Sequence, residues 1–144
     1  MSVLGLKLVL AHVIGDFAFQ PDKWVQDKIA RKQKSPYLYW HLLIHALALG
    51  LVLQFDFTYW KGMLMIVVSH YLIDLGKLYL TGKLNTRILF FLDQLAHLII
   101  IAVVIYIYEP YTLAMNEVVT PKILLLTLAI LGVGPVSAVI MKVI

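Results

Sequence analysis

Eight ionisable side chains stand in four pairs: His12 with Asp16, His41 with His45, His70 with Asp74, and Asp93 with His97. Every pair is spaced i, i+4, so on a helix its members share one face, one turn apart. The set takes all five histidines of the chain and three of its aspartates. Imidazole and carboxylate are ligands for zinc, iron and manganese. Helical bundles build two-metal sites from such groups, projected inward from four helices at i, i+3 or i, i+4. The expected cofactor is a divalent transition metal, zinc first with iron or manganese as alternatives, bound as one or two ions. Eight candidate ligands suit two ions at four ligands each, or fewer ligands with water. The competing reading is a hydrogen-bonded polar core without metal, the usual role of a lone intramembrane histidine.

The elements that must position these groups follow from composition. The chain has 144 residues, 62% hydrophobic and 14% charged, against about 25% charged in ordinary soluble domains. A mean hydropathy of +0.90 leaves too little polar surface to coat a water-exposed fold, and disorder is excluded by the same excess of apolar residues. The chain lacks cysteine, which rules out disulfides, thiolate metal sites and a cysteine nucleophile. The apolar runs are too long for strands and do not alternate. They predict an all-α polytopic membrane helix bundle of about five spans within a single domain, 1–144. The spans fall at about Val3–Gln20, Tyr37–Gln54, Tyr59–Leu80, Arg87–Tyr108 and Pro121–Ile144, each near the length that crosses a bilayer. Lys7 is the only basic residue at the start, no small-residue cleavage site precedes Pro21, and the first run reads as a retained span rather than a signal peptide.

Lys23, Lys28, Arg31, Lys32 and Lys34 between the first two spans, Lys77, Lys83 and Arg87 around the third connection, and Lys142 fall on one side of a five-span chain. Lys7, Lys61 and Lys122 fall on the other, with Asp56, Glu109 and Glu117. That bias places the N-terminus outside and the C-terminus in the cytoplasm. Segment 22–34 is expected to be a short interfacial helix on anionic lipid, with Trp24, Val25, Ile29 and the stems of Lys28 and Lys32 toward the apolar side. A plain basic loop is the alternative. The net charge of +4 is thereby assigned to topology and lipid, not to nucleic acid. Tyr37, Tyr39 and Trp40, and Tyr59 and Trp60 opposite, form aromatic belts.

Depth sharpens the pattern. At 1.5 Å per residue the eight groups form two layers, about 8–10 and about 14–16 Å from the inner surface. The deep layer is His12, His45, His70 and His97; the shallow one is Asp16, His41, Asp74 and Asp93. A charged group in hydrocarbon costs about 2.5–3.5 kcal/mol on insertion scales, so these groups must face the bundle interior. Around them, Gln20 and Gln94 offer amides, Ser69 precedes His70 and is placed to hydrogen-bond backbone, and Lys77 is placed either to pair with Asp74 or to snorkel toward the interface. Gly15 and Gly76 would permit close helix approach. Gly132, Gly134 and Pro135 mark a packing face or kink in the fifth span.

The string His12-Val-Ile-Gly-Asp16-Phe-Ala-Phe-Gln20, with Trp24 and Lys28, is followed by Trp40-His41 and His45, then Ser69-His70-Tyr-Leu-Ile-Asp74-Leu-Gly-Lys77, then Asp93-Gln94-Leu-Ala-His97. Together these resemble an uncharacterised bacterial and phage integral-membrane family catalogued as a domain of unknown function, the 3307 group. The resemblance covers about Leu8 to Leu98, with the polar core within 8–98 and the fifth span outside it. More distantly the pattern is similar to membrane-bound metal-dependent hydrolases. The resemblance implies a bacterial cytoplasmic membrane location but no established activity.

Three functions fit. The first is a metal-dependent hydrolase at the cytoplasmic leaflet, acting on a lipid or phosphate-bearing substrate, with Asp16 or Asp93 as general base where it is not a ligand. The second is a metal-ion or proton transporter or channel. It is weakened by the dry outer half of the bundle and by the lack of internal repeats, although a homo-oligomer could supply a path. The third is a non-enzymatic membrane module with a closed, structural metal site.

Overall fold

The computed structural model describes residues 3–110. The fifth span at 121–144, with Gly132, Gly134 and Pro135, lies outside the described residues, as do Glu117, Lys122 and Lys142. All regular elements among the described residues are helical; the one β-contact is an isolated bridge between Thr81 and Leu84. Helix α1 (Val3–Val13) runs into a π-helical turn (Ile14–Ala18). Helix α2 (Asp22–Arg31) is followed by a 3-10 turn (Lys32–Lys34), α3 (Pro36–Val52) by a second 3-10 turn (Phe57–Tyr59), and then α4 (Trp60–Leu80) and α5 (Thr86–Tyr108) complete the set.

The four long helices close a ring of neighbours: α1 packs on α3 and α5, and α4 packs on α3 and α5. Short connections make sequence neighbours antiparallel, as in four-helix bundles generally. The segment Phe57–Leu80 and helix α5 are each long and apolar enough to cross a membrane. Two of the expected spans are shorter than their apolar runs. Helix α3 has 17 residues because the chain leaves it through Gln54 and Phe55, both in the left-handed region, with the Phe55 N–H bonded back to Gly50 O at 2.7 Å. The first span does not continue regularly to Gln20. It loosens into the π turn, and Val3–Phe17 meets the criteria for a span only together with Asp22–Lys34, across a bend of 82°.

The interior is segregated along the bundle. One end holds an apolar cluster that includes Leu4, Leu8, Leu49, Leu53, Ile101 and Val104. The other end holds the histidines and aspartates. Outward faces are apolar, with Leu51, Leu64, Leu72, Phe91, Ile99 and Ile107 among the exposed residues.

At the apolar end the start of α4 is tied to the end of α5. The Gly62 N–H, one of the first-turn donors without an intrahelical partner, donates to Tyr108 Oη at 3.1 Å. A Cβ at Gly62 would lie 2.8 Å from Val104 Cγ1, so glycine permits this approach. Tyr108→Phe should lower stability by about 1 kcal/mol, the usual worth of one such bond, in thermal unfolding of detergent-solubilised protein. An unchanged midpoint would mean that water satisfies the Gly62 donor equally well.

Candidate metal centre

The eight groups meet. His12, His41, His45, His70, Asp74, Asp93 and His97 are all buried, and the Asp16 side chain is 10% exposed. The helix geometry explains how. On α3, α4 and α5 the i, i+4 spacing stacks each pair on the inward face. On the first helix the pair straddles the π turn, which inserts an extra residue per turn and redirects Asp16; such π-bulges recur at functional sites. Gly15 sits in that turn. A Cβ there would collide with the His45 ring, so glycine lets the turn press Asp16 against α3.

Asp16 is the hub. Its Oδ1 lies 3.0 Å from His45 Nε2, 3.3 Å from His41 Nε2 and 3.7 Å from His70 Nε2, and its Oδ2 lies 3.6 Å from His12 Nε2. His70 Nε2 and His41 Nε2 approach to 3.2 Å. The imidazole rings pack on one another, with centroids of His45 and His70 3.7 Å apart, His70 and His97 4.3 Å, and His12 and His97 4.9 Å. Side chains of the two expected layers meet: Asp16 and His41, of the shallow layer, touch the deep-layer imidazoles of His45 and His70.

Three overlapping groups bring one ligand atom per residue within 4.8 Å of each other: His12, Asp16, His45 and His70; His41, His70 and Asp74; and Asp16, Asp93 and His97. Ligand atoms around a tetrahedral ion with bonds of about 2.0–2.1 Å lie about 3.3 Å apart. The contacts of 3.0, 3.2 and 3.3 Å at Asp16, His41, His45 and His70 match that spacing. The third group supplies a stronger test. His97 Nδ1 lies 2.8 Å from the Asp93 carbonyl oxygen, and a carbonyl only accepts, so Nδ1 carries the proton, and Nε2 is the nitrogen left to present a lone pair to an ion. That Nε2 is buried and finds no hydrogen-bond partner among the described residues, and neither does Asp93 Oδ1. Buried acceptors without donors are rare. A backbone carbonyl that fixes the histidine tautomer is the usual support of a metal-binding imidazole. The residues fit a divalent ion.

The surrounding groups differ in part from expectation. Gln20 does reach the site, with Nε2 3.0 Å from His41 Nε2. Gln94 lies between three members: it donates to Asp16 Oδ2 at 3.1 Å and to Asp93 Oδ2 at 3.2 Å, and its Oε1 is 3.4 Å from His12 Nε2. Lys77 pairs with Asp93 across the α4–α5 contact at 2.6 Å, neither with Asp74 nor free at the interface. Ser69 makes the expected bond to backbone rather than a contact with the site: its hydroxyl donates to Ile66 O at 3.0 Å, the local bond that serine makes to the preceding turn of a helix. Gly76 brings no helix close, since a Cβ there would meet nothing within 4 Å. The main residue that sequence reasoning missed is Lys28. Its stem does not lie on lipid. It enters the bundle, 4% exposed, and its Nζ lies 3.4 Å from Asp74 Oδ2. Its sequence signals are its place in the motif string with Trp24 and its position on the same face of α2 as Trp24, which stacks on Tyr37 at 5.3 Å.

The sequence pattern of one protein family, described as "Protein of unknown function (DUF3307)", matches residues 4–126. The chain belongs to this family. The family pattern takes in all eight core groups, Gln20, Lys28, Lys77 and Gln94, and it extends beyond the expected limit at Leu98 into the start of the segment assigned to a fifth span. No curated protein and no solved structure matches the chain.

Proposed function

We propose that this member of the family is a multi-pass protein of the bacterial cytoplasmic membrane, with about five spans, its N-terminus outside and its C-terminus inside, that holds one or two divalent transition metal ions, zinc first, near the cytoplasmic leaflet. The observation that carries the metal is the pair of buried acceptors without a donor, His97 Nε2 and Asp93 Oδ1, beside a carboxylate ringed by imidazoles. A hydrogen-bonded core needs donors at those positions; a cation needs acceptors. The activity that fits best is hydrolysis of a lipid or phosphate-bearing substrate. A divalent ion supplies Lewis acidity toward a phosphoryl or carbonyl oxygen and lowers the pKa of water toward about 7. Asp16, with imidazoles on both oxygens, and Asp93, through its unengaged Oδ1, would serve as ligands. The apolar cluster across the other end favours a site reached from one side, which weighs against a transport path.

Elemental analysis of protein purified in mild detergent should find at least one equivalent of zinc, iron or manganese. A chelator should remove it and lower the unfolding midpoint. A ligand present at a hundred times its dissociation constant stabilises by about 2.7 kcal/mol. Metal-free protein with no chelator response would return the cluster to a hydrogen-bonded core. Metal ligated entirely by protein, with no water, would leave a structural module and remove the hydrolase reading.

The orientation has its own test. The chain contains no cysteine, so single cysteines report cleanly. Lys34→Cys and Asp56→Cys, at exposed positions flanking α3, should react with an impermeant maleimide from opposite sides of the membrane, Lys34→Cys from the cytoplasm. Reaction of both from one side would overturn the span assignment.

A further inference from the structure

Two lysines point their ammonium groups into a site that a metal ion would make positive. Lys28 lies on Asp74 Oδ2 at 3.4 Å and Lys77 on Asp93 Oδ2 at 2.6 Å. No arginine or lysine among the described residues is paired with Asp16, whose ion-pair partners are the four histidines. With neutral imidazoles, three carboxylates exceed two ammonium groups by one charge. One divalent ion reverses that sign, and two leave an excess of three positive charges. Buried charge of one sign requires a counter-charge. The carboxylates that hold the lysines are the ones an ion would use: Asp74 Oδ2, which holds Lys28, is also 3.5 Å from His41 Nε2, and Asp74 and Asp93 each belong to a ligand group. A cation there weakens the hold of both carboxylates on their ammonium groups.

We infer that the metal-loaded site binds a phosphoryl group, and that Lys28 and Lys77 are its direct ammonium partners. The inference rests on the metal reading above and names the ligand class for that site. A carboxylate ligand carries one charge and two acceptor oxygens. A phosphoryl group carries up to two charges and three terminal oxygens, enough for an ion and two ammonium groups together, and lysine is a common partner for it. The approach is from the α2 end. The Lys77 side chain is 32% exposed, and Lys23, Arg31 and Lys34 are exposed along α2 and the turn after it, where they would concentrate anions. Lys28, held beneath α2, is the inner ammonium group and Lys77 the outer one.

The test uses full-length protein in nanodiscs of phosphatidylcholine alone, loaded with the metal it carries when purified, and titrated with inorganic phosphate by calorimetry. Binding should be saturable in the loaded protein and at least tenfold weaker after chelation. Lys28→Met and Lys77→Met should each weaken it at least tenfold, with metal stoichiometry retained. Lys28→Met should bind metal more tightly, because a competing cation is gone; loss of mere structural support would loosen the metal instead. Lys28→Arg keeps the charge and guards against a folding defect, and it should bind phosphate better than Lys28→Met. Nanodiscs containing phosphatidic acid separate the sources. Competition with inorganic phosphate identifies a lipid headgroup, and its absence identifies a soluble phosphate compound; either supports the site. Metal-loaded protein that binds neither, or binds phosphate equally well in both methionine variants, overturns the inference and leaves the metal reading standing. Protein that takes up no metal overturns both.

Discussion

Asp16→Asn is expected to abolish metal binding while leaving the metal-free protein nearly as stable as before. The two other carboxylates of the cluster each carry a lysine, Asp74 with Lys28 and Asp93 with Lys77. Asp16 carries none; within 3.0–3.7 Å it meets four imidazoles and the amide of Gln94. Its negative charge is therefore the one that a bound cation would compensate, and two of the three candidate ligand groups contain it. Asparagine keeps the shape and an acceptor oxygen, so the metal-free protein should change by no more than about 1 kcal/mol, the scale of one hydrogen bond. The stabilisation by metal, about 2.7 kcal/mol at a hundredfold excess over the dissociation constant, should vanish. Denaturant or thermal unfolding with and without metal measures both quantities. A large loss in the metal-free variant would mean that Asp16 anchors charged histidines as a structural network and that no ion is needed.

Much of this arrangement could be read from residue types. The spacing of His12/Asp16, His41/His45, His70/Asp74 and Asp93/His97 and their common depth were enough to predict convergence, since burying them separately in hydrocarbon is too costly. The apolar runs gave α4 and α5 within a residue of their observed limits. What the spacing could not convey is backbone irregularity and neighbour identity. The π turn at Ile14–Ala18 depends on how Gly15 fits beneath His45, a contact between two helices. Lys28 followed an amphipathic pattern that serves equally for a lysine on lipid and for one turned inward; the 82° bend before α2 decides between them. The partner of Lys77 is across α5 because α4 and α5 are adjacent, whereas on its own helix Asp74 was the nearer acid in sequence. Ser69, beside His70 in sequence, points to its own helix because consecutive helical residues diverge by about 100°.

Lys77→Met is expected to cost the metal-free protein about 3–5 kcal/mol, the usual penalty for leaving one member of a buried ion pair alone. Its partner justifies that scale. The Asp93 side chain is 1% exposed, its Oδ2 is 2.6 Å from Lys77 Nζ, and Oδ1 has no hydrogen-bond partner among the described residues. The Gln94 amide at 3.2 Å is the remaining donor to Oδ2, and one neutral amide offsets little of a buried carboxylate. A divalent ion shared by Asp93, His97 and Asp16 would neutralise the same charge by another route. Metal should therefore stabilise Lys77→Met more than it stabilises the parent, and the gap between the two proteins should narrow on loading. Unfolding of both proteins, each metal-free and loaded, gives the four values needed, and the difference of differences is the coupling between the ammonium group and the ion. If the Lys77–Asp93 pair is only a structural strut, metal will not rescue the variant and the coupling will be zero. If Asp93 is a ligand, the ion and the ammonium group are alternatives for one carboxylate, and the coupling will have the sign of mutual replacement.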